Sequence, residues 1–259
     1  MKHIKIIIAF LLVVLFGSCT QDQQIIINQN PTNFANRQTT GAAANDLLSD
    51  NTYTSMVVEL VYVDGFEPSK EAVDNFISFI KERTYKPEGI ILKKRAISSP
   101  GKTVYTINEI AEIEKKQRRY YNTDNQIALW VYFSDGKSDK DSESDNTAVL
   151  GTAYWSTSFV VFEKTVQGFS DSSFEPKRAV LETTVINHEF GHLLGLTNLG
   201  TTMHQNHEDT DHPKHCNNKD CLMYWASESG ANISNLVGMG SAPNLDANCI
   251  ADLKANGGK

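Results

Sequence analysis

Residues 176–195 read PKRAVLETTVINHEFGHLLG, and this stretch decides how the rest of the sequence is interpreted. Pro176 stands at a first turn and Gly195 follows a last turn, which is the asymmetry expected of a helix. Near its end the segment holds an H-E-x-x-H pattern at residues 188–192. On a helix, His188 and His192 lie one turn apart on the same face, so both imidazoles can reach one metal ion. Glu189 lies beside them, where its carboxylate can accept a proton from a water molecule at that ion.

Zinc is the ion that this pattern favours, because imidazole suits zinc and zinc is redox-inert. A catalytic zinc usually keeps three protein ligands, so the two helical histidines need a third partner. Six of the seven histidines fall within 28 residues, namely His188, His192, His204, His207, His212 and His215. The sequence therefore predicts one catalytic zinc and offers four histidines for the third ligand position.

Segments typical of strands and of helices alternate ahead of the H-E-x-x-H helix. Strands are predicted over residues 54–63, 89–97, 126–134, 148–155 and 157–162, and helices over 69–85 and 107–121. This order predicts an α+β (mixed α/β) fold, with a mixed twisted sheet, helices packed on it and a loop-rich C-terminal part. The late pair of strands favours an antiparallel edge strand at 148–155, which suits the binding of an extended peptide.

The first residues are typical of an exported bacterial protein. Lys2 and Lys5 precede an apolar run that is too short to cross a bilayer roughly 30 Å thick, so residues 1–18 are predicted to be a signal peptide. Leu15-Phe16-Gly17-Ser18-Cys19 resembles a lipobox, which implies lipidation of Cys19. An ordinary signal peptide is the alternative. We expect a protein anchored to a membrane of the cell envelope, at the outer membrane, facing the periplasm or the cell surface.

Length and composition predict one folded unit behind a linker. Residues 19–51 are rich in Gln, Asn and Thr and are predicted to be a flexible tether, with a pro-segment as the alternative. The 259-residue chain is 40% hydrophobic, which allows a medium-sized catalytic domain over 52–259, divided into subdomains 52–196 and 197–259. The net charge of −7, which falls to −9 without Lys2 and Lys5, argues against a nucleic-acid partner. The sequence does not indicate an oligomeric state.

A longer pattern links the helix to a second motif downstream. In the metzincin peptidases H-E-x-x-H continues as x-x-G-x-x-H, and residues 188–195 follow this pattern through Gly195. The next ligand position is Asn198, whose amide is a poor zinc ligand. Residues 215–223 then read HCNNKDCLM, an H-C-x4-C-x-M pattern. Together the two motifs resemble the archaemetzincin family, with a segment inserted between Gly195 and His215.

This resemblance implies a zincin-like fold and a zinc-dependent endopeptidase. It implies that His215 is the third zinc ligand and that Met223 is the Met-turn residue beneath the metal. Because spacing across an insertion is variable, His207 is the main alternative ligand, followed by His204 and His212. Tyr224 follows the Met-turn residue and is a candidate to contact the substrate oxyanion.

The other donors of the second half allow more than one interpretation. The unused histidines together with Asp209 and Asp211 offer donors for a second ion, although a polar surface loop is the simpler interpretation. Archaemetzincins hold a structural zinc with four cysteines, including a later C-x-x-C pair, whereas this chain has only Cys216, Cys221 and Cys249. In an oxidising compartment we therefore expect a Cys216–Cys221 disulfide and a free Cys249.

The predicted function is hydrolysis of a peptide or protein substrate by metal-activated water, with Glu189 as the general base. Two alternatives are a non-catalytic zinc-containing surface lipoprotein and a metal-scavenging lipoprotein that uses the segment rich in His and Asp. Glu189 favours the enzyme, because a purely structural zinc site needs no general base. The substrate sequence is not readable, since loops supply the pocket.

Overall fold

The structure is a computed structural model that describes residues 31–142, 148–230 and 236–259. The predicted signal peptide and Cys19 lie outside these residues. Across the described ranges, the helices are all too short or too polar to traverse a bilayer.

One five-stranded sheet organises the domain. Its strands are β1 (Ser55–Val63), β2 (Gly89–Ile97), β4 (Gln126–Phe133), β6 (Gly151–Trp155) and β7 (Ser158–Val161), in the spatial order β2-β1-β4-β7-β6. The first four in this order are parallel, whereas β6 is antiparallel to β7 and lies at the edge. The predicted antiparallel edge strand is therefore confirmed. Two short strands, β3 (Val104–Tyr105) and β5 (Lys137–Ser138), pair separately.

Seven helices are described. They are α1 (Pro31–Phe34), α2 (Ala44–Leu48), α3 (Lys70–Arg83), α4 (Ile107–Gln117), α5 (Glu163–Gly168), α6 (Arg178–Leu193) and α7 (Ala247–Ala255). The side chain of Ser69 accepts a hydrogen bond from the Ala72 amide and begins α3, as its position before an amphipathic run predicts. Thr106 and Glu109 form a capping box at the start of α4.

The sheet separates two apolar layers. Side chains of α3 and α6 pack on one face, together with alternate residues of β1, β4 and β7. Ile110 of α4 packs on the other face against Trp130 and Tyr132. β4 is buried on both faces, which explains why its sequence is almost continuously apolar. The predicted fold class is confirmed.

The helix α6 is the most deeply buried helix of the domain. Every residue from Val180 to Leu193 is buried, and the helix packs against α3, β6 and β7. Polar side chains are rarely enclosed in this way unless they are paired or functional. The buried polar residues near its C-terminal end, His188, Glu189 and His192, therefore mark the site.

The segment before β1 is folded where the structure describes it. Leu47 and Leu48 of α2 are buried in the main core, and Gly41 packs against the backbone of Leu199. For residues 31–51 the predicted tether is wrong, because the short apolar face of α2 supplies buried surface that a composition-based interpretation overlooks. Residues 19–30 lie outside the described residues.

Candidate metal centre

Three histidines from two parts of the chain converge on one point. His188 and His192 lie one turn apart on α6, and His215 approaches from the loop that follows. The Nε2 atoms of His188 and His192 are 3.1 Å apart. The ring centroid of His215 lies 5.3 Å from that of His188 and 5.1 Å from that of His192. Donor atoms of the three rings and of Glu228 all lie within 4.8 Å of one another.

Backbone carbonyls set the orientation of the three rings. Each Nδ1 lies at hydrogen-bond distance from a carbonyl oxygen: 2.8 Å from Leu222 for His188, 3.0 Å from Leu196 for His192, and 3.1 Å from Pro213 for His215. Because a carbonyl only accepts, each Nδ1 carries the proton and each Nε2 presents its lone pair to the shared point. This is the arrangement in which metal-binding histidines are usually held.

The three rings suit a zinc ion. Ligand atoms around a tetrahedral zinc, with Zn–N of about 2.0–2.1 Å, lie about 3.3 Å apart, close to the spacing of the two helical Nε2 atoms. Burial lowers the pKa of His188 to about 4, which keeps its imidazole neutral and free to bind a metal. The Nε2 of His215 is buried and makes no hydrogen bond of ordinary geometry among the described residues, although a Glu228 carboxylate oxygen lies 3.2 Å away. An imidazole nitrogen left unpaired in this way fits a metal ligand.

The end of α6 places His192 and turns the chain. The Gly195 amide donates to the His192 carbonyl and the Leu196 amide donates to the Gly191 carbonyl, which together form a Schellman motif. Gly195 has φ +83°, a conformation that glycine adopts without strain. The turn directs the Leu196 carbonyl back to the His192 ring. Gly195 therefore ends α6 and reverses the chain at this point.

The inserted segment begins and ends at one place. The Thr197 amide donates to the Lys214 carbonyl at 3.1 Å, so residues 198–213 leave and return at the same point. Asn198 donates to the Glu208 carboxylate at 2.9 Å, and that carboxylate also accepts from the Lys214 amide at 2.7 Å. Because the loop closes at its base, His215 occupies the place that residue 198 would take in an H-E-x-x-H-x-x-G-x-x-H motif without an insertion.

The alternative third ligands lie elsewhere. His207 contacts the Asp252 carboxylate at 2.7 Å and Cys216 Sγ at 3.4 Å, away from His188 and His192. The His212 ring stacks on Trp225 and bonds Asp209, and the His204 amide donates to Asp252. Within the described ranges, Asp209 and Asp211 form no group of metal donors with the spare histidines. The structure brings His215, and not His207, to the helical pair.

Glu189 lies between α6 and the edge strand. Its carboxylate is buried, and neither oxygen has a hydrogen-bond partner of ordinary geometry among the described residues. A Cβ atom on Gly151 of β6 would lie 2.6 Å from Glu189 Oε1, so the carboxylate sits directly against this strand. Burial, and then the charge of Glu228, raise the pKa of Glu189 well above its ordinary value. Such a group is suited to take up a proton.

The segment after Cys221 supports the site from below. Met223 is buried against Gly191 of α6, and its neighbour Leu222 supplies the carbonyl that orients His188. Tyr224 is half-buried and lines a cavity of about 690 Å³ together with Leu236 and Met239. Contact between Tyr224 and a substrate oxyanion remains a prediction.

Glu228 is a member of the site that the sequence did not indicate. It follows the 3-10 turn Trp225–Ser227, and its Oε1 lies 3.2 Å from His215 Nε2. Its Oε2 lies 3.6 Å from the Nε2 atoms of both His188 and His192. No spacing rule distinguishes a glutamate five residues beyond Met223 from one on the surface.

The predicted Cys216–Cys221 disulfide is wrong, because Cys216, Cys221 and Cys249 are free thiols in one buried cluster. The Sγ atoms of Cys221 and Cys249 are 3.6 Å apart, and Cys216 Sγ donates to the Asp246 carboxylate at 3.4 Å. We call these four residues the thiol cluster. Asp246 and Cys249 form a D-x-x-C pair, so an aspartate stands at the first position of the later cysteine pair that the resemblance implies. This D-x-x-C spacing is the sequence feature that could have indicated Asp246 as a member of the cluster.

The thiol cluster carries the features of a metal site. The backbone amides of Met223 and Asp246 both donate to Cys221 Sγ at 3.4 Å. Hydrogen bonds from the Cys216 and Cys249 thiols lower the pKa of Cys221, and the same contacts raise the pKa of the two donors. Thiolates are the form in which cysteine binds metals, and ligand sulfurs in such sites are hydrogen-bonded. Donor atoms of Cys216, Asp246, Cys249 and the neighbouring His207 all lie within 4.8 Å of one another, and this set of two sulfurs, one oxygen and one nitrogen suits zinc.

Comparison with known proteins supports the fold. No protein-family model and no curated protein matches this sequence. The fold is similar to that of archaemetzincin from Methanopyrus kandleri, with a TM-score of 0.51 and 20% identity over 78% of this chain and 96% of that chain. Metalloproteinase-II from Bacteroides fragilis gives a TM-score of 0.46 and 12% identity over 81% of this chain and 54% of that chain. The first likeness confirms the predicted archaemetzincin-like zincin fold.

Proposed function

We propose that this protein is a zinc-dependent endopeptidase, with zinc held by His188, His192 and His215. The observation that carries the proposal is the convergence of three imidazole Nε2 atoms beside a buried carboxylate that lacks a hydrogen-bond partner of ordinary geometry. An unpaired buried carboxylate is unfavourable in a purely structural site. Its presence at Glu189 favours an enzyme over a non-catalytic zinc lipoprotein.

The chemistry divides between the ion and the chain. When bound, zinc supplies Lewis-acid activation of the scissile carbonyl and of water. Glu189 accepts the proton that water loses and donates it to the leaving amine. The buried position of Glu189 restricts access of bulk water to the proton it carries.

The edge strand β6 suggests how the substrate binds. It is the last strand of the sheet within the described residues, and Gly151 at its start touches Glu189. An extended peptide that pairs with this edge would bring its backbone past the three histidines. A peptide or protein substrate is therefore favoured over a small molecule.

The metal-scavenging alternative has less support. It requires several weak sites in the inserted segment, yet the His207 ring already contacts Asp252 and the His212 ring contacts Asp209. We further propose that the thiol cluster holds a second, structural zinc ion. Cys216 directly follows the ligand His215 and Cys221 stands two residues before Met223, so that ion would fix the loop that forms the catalytic site.

We propose that the enzyme acts in the bacterial cell envelope, anchored through lipidated Cys19. The support is the lipobox-like sequence and the basic, apolar start of the chain. Its substrates would then be peptides or proteins at that membrane.

The decisive experiment compares the zinc-loaded protein with its Glu189→Gln variant on a mixed peptide library. We expect the parent to cleave internal peptide bonds, and the variant to bind zinc equally well but to cleave at least ~100-fold more slowly, because it lacks a general base. Mass spectrometry of the products gives the cleavage rates, and metal analysis gives the zinc content. A variant that cleaves at the parent rate, or a fully loaded parent inert on the library, would contradict the proposal.

A further inference from the structure

We propose that Glu228 is a displaceable fourth protein ligand, which closes the metal site until a substrate or another ligand takes its place. The inference rests on the proposed function in one respect, namely that His188, His192 and His215 bind a divalent metal. It adds that the resting site is four-coordinate through protein atoms alone. The enzyme would therefore be latent in the absence of substrate.

The distances fit four ligands around one ion. The Glu228 oxygens lie 3.2 Å from His215 Nε2 and 3.6 Å from the two helical Nε2 atoms. Donor atoms in a tetrahedral zinc site lie about 3.3 Å apart. A carboxylate at hydrogen-bond distance from only one imidazole would not approach all three so evenly.

The hydrogen-bond pattern requires a cation between these groups. Each Nδ1 is directed to a backbone carbonyl, so each Nε2 turns a lone pair toward the Glu228 oxygens, which also carry lone pairs. Within the described residues, the ion-pair partners of Glu228 are these three histidines alone. A carboxylate facing three imidazole lone pairs needs a positive charge between them, and a divalent metal ion supplies it while all three rings stay neutral.

The backbone of Glu228 is fixed, whereas its side chain has an exit. The Leu150 amide donates to the Glu228 carbonyl at 2.8 Å, and the Gly230 amide donates to the Ala148 carbonyl at 2.7 Å. Residue 229 also pairs with residue 149, so this segment is bonded to the stretch that leads into β6. The Glu228 side chain is 31% exposed, whereas that of His188 is fully buried. Rotation of the side chain alone can therefore open the site.

The position of Glu228 connects closure with substrate binding. It lies beside the beginning of the edge strand proposed to pair with the substrate. A peptide that reaches the metal along this edge must displace the Glu228 carboxylate. Ligand affinity is therefore reduced by the fraction of molecules in which Glu228 is bound.

The test uses the cobalt(II)-substituted protein and the metal-chelating probe acetohydroxamate. We expect Glu228→Gln and Glu228→Ala to bind the probe at least ~10-fold more tightly than the parent, because no ligand has to leave. We also expect both variants to bind zinc ~10- to 100-fold more weakly in a competition with a chelating dye. Visible absorption of cobalt reports coordination directly. Glu71→Gln, which removes an exposed carboxylate on α3, is the matched control and should change neither affinity.

Opposite shifts of the two affinities support the inference, whether or not the protein cleaves peptides. The inference would be overturned if both Glu228 variants bound zinc and the probe with the same affinities as the parent and gave the same cobalt spectrum as the parent. Failure of the proposed function would give a different result. The zinc and probe affinities of the Glu228 variants would still shift in opposite directions, but the metal-loaded parent would cleave no peptide. Cleavage by the parent with no affinity shifts would leave the proposed function intact and refute the role of Glu228.

Discussion

Gly191 and Met223 are in direct contact, and there is no room between them for a further carbon atom. A Cβ on Gly191 would overlap Met223 Sδ and lie 3.2 Å from Met223 Cε. Met223 is fully buried and so has little freedom to move away. The glycine inside the H-E-x-x-H motif is therefore explained by packing against the Met-turn residue.

Gly191→Ala should destabilise the protein by about 1–3 kcal/mol, although alanine favours a helix by about 1 kcal/mol relative to glycine. The clash displaces Met223, and with it the neighbouring Leu222 carbonyl that orients His188, so zinc affinity should fall as well. Thermal unfolding and dye competition measure the two effects. Adding Met223→Ala to Gly191→Ala should recover part of the affinity. If Gly191→Ala were as stable as the parent, Met223 would be shown to move aside at little cost.

His215→Ala and His207→Ala provide a matched test of the third ligand. We expect His215→Ala to lower the zinc affinity of the catalytic site more than about 100-fold and to abolish cleavage, because two imidazoles alone hold zinc poorly. His207→Ala should keep cleavage, since its ring contacts Cys216 and Asp252 and not the helical histidines. Metal analysis after dialysis against a weak chelator gives the readout. The reverse pattern would assign the ligand to His207.

Cys249→Ser should reduce the zinc content from two ions per chain to one. Because a structural zinc contributes directly to folding, the variant should also lose roughly 3 kcal/mol or more of stability. Asp246→Asn is a more conservative variant, which removes the carboxylate and little else. Its side-chain oxygen can still accept from the Cys249 amide and begin α7, while the carboxylate donor is lost. Two tightly held ions in both variants would exclude the thiol cluster as a metal site.

Glu163→Gln should remove a pH dependence of stability. Burial, and then the charge of Glu182, raise the pKa of Glu163 to about 9. Below pH 4.5 the residue is protonated in both states. Between pH 4.5 and 9 it ionises only in the unfolded chain, so the free energy of unfolding falls as the pH rises.

The parent should therefore lose about 2–4 kcal/mol more than the Glu163→Gln variant between pH 5 and pH 8. The glutamine keeps an N–H group for Glu182, so the fold should be retained. Denaturant unfolding at several pH values measures the difference. Parallel pH profiles of parent and variant would show that Glu163 ionises normally in the folded protein.

Local patterns in the sequence predicted most of the regular structure. The strands over 55–63 and 89–97 and the helix over 178–193 agree with the predicted elements, because periodic burial of apolar side chains is a local property. The predicted site residues His188, Glu189 and His192 likewise follow from the spacing of one helical turn. The helix α2 was missed because it is short and lies in a polar stretch.

The sequence by itself determined the zincin-like fold class and the helical pair of histidines. The family resemblance favoured His215 as the third ligand but left His207, His204 and His212 open, and the tertiary structure separated them. The proximity of Glu228 and the gathering of three thiols with Asp246 appeared only in that structure. The reason is physical. Contacts inside one helix follow from its 1.5 Å rise per residue. The path of the 16-residue segment 198–213 depends instead on long-range hydrogen bonds such as those of Thr197 with Lys214, which no local pattern encodes.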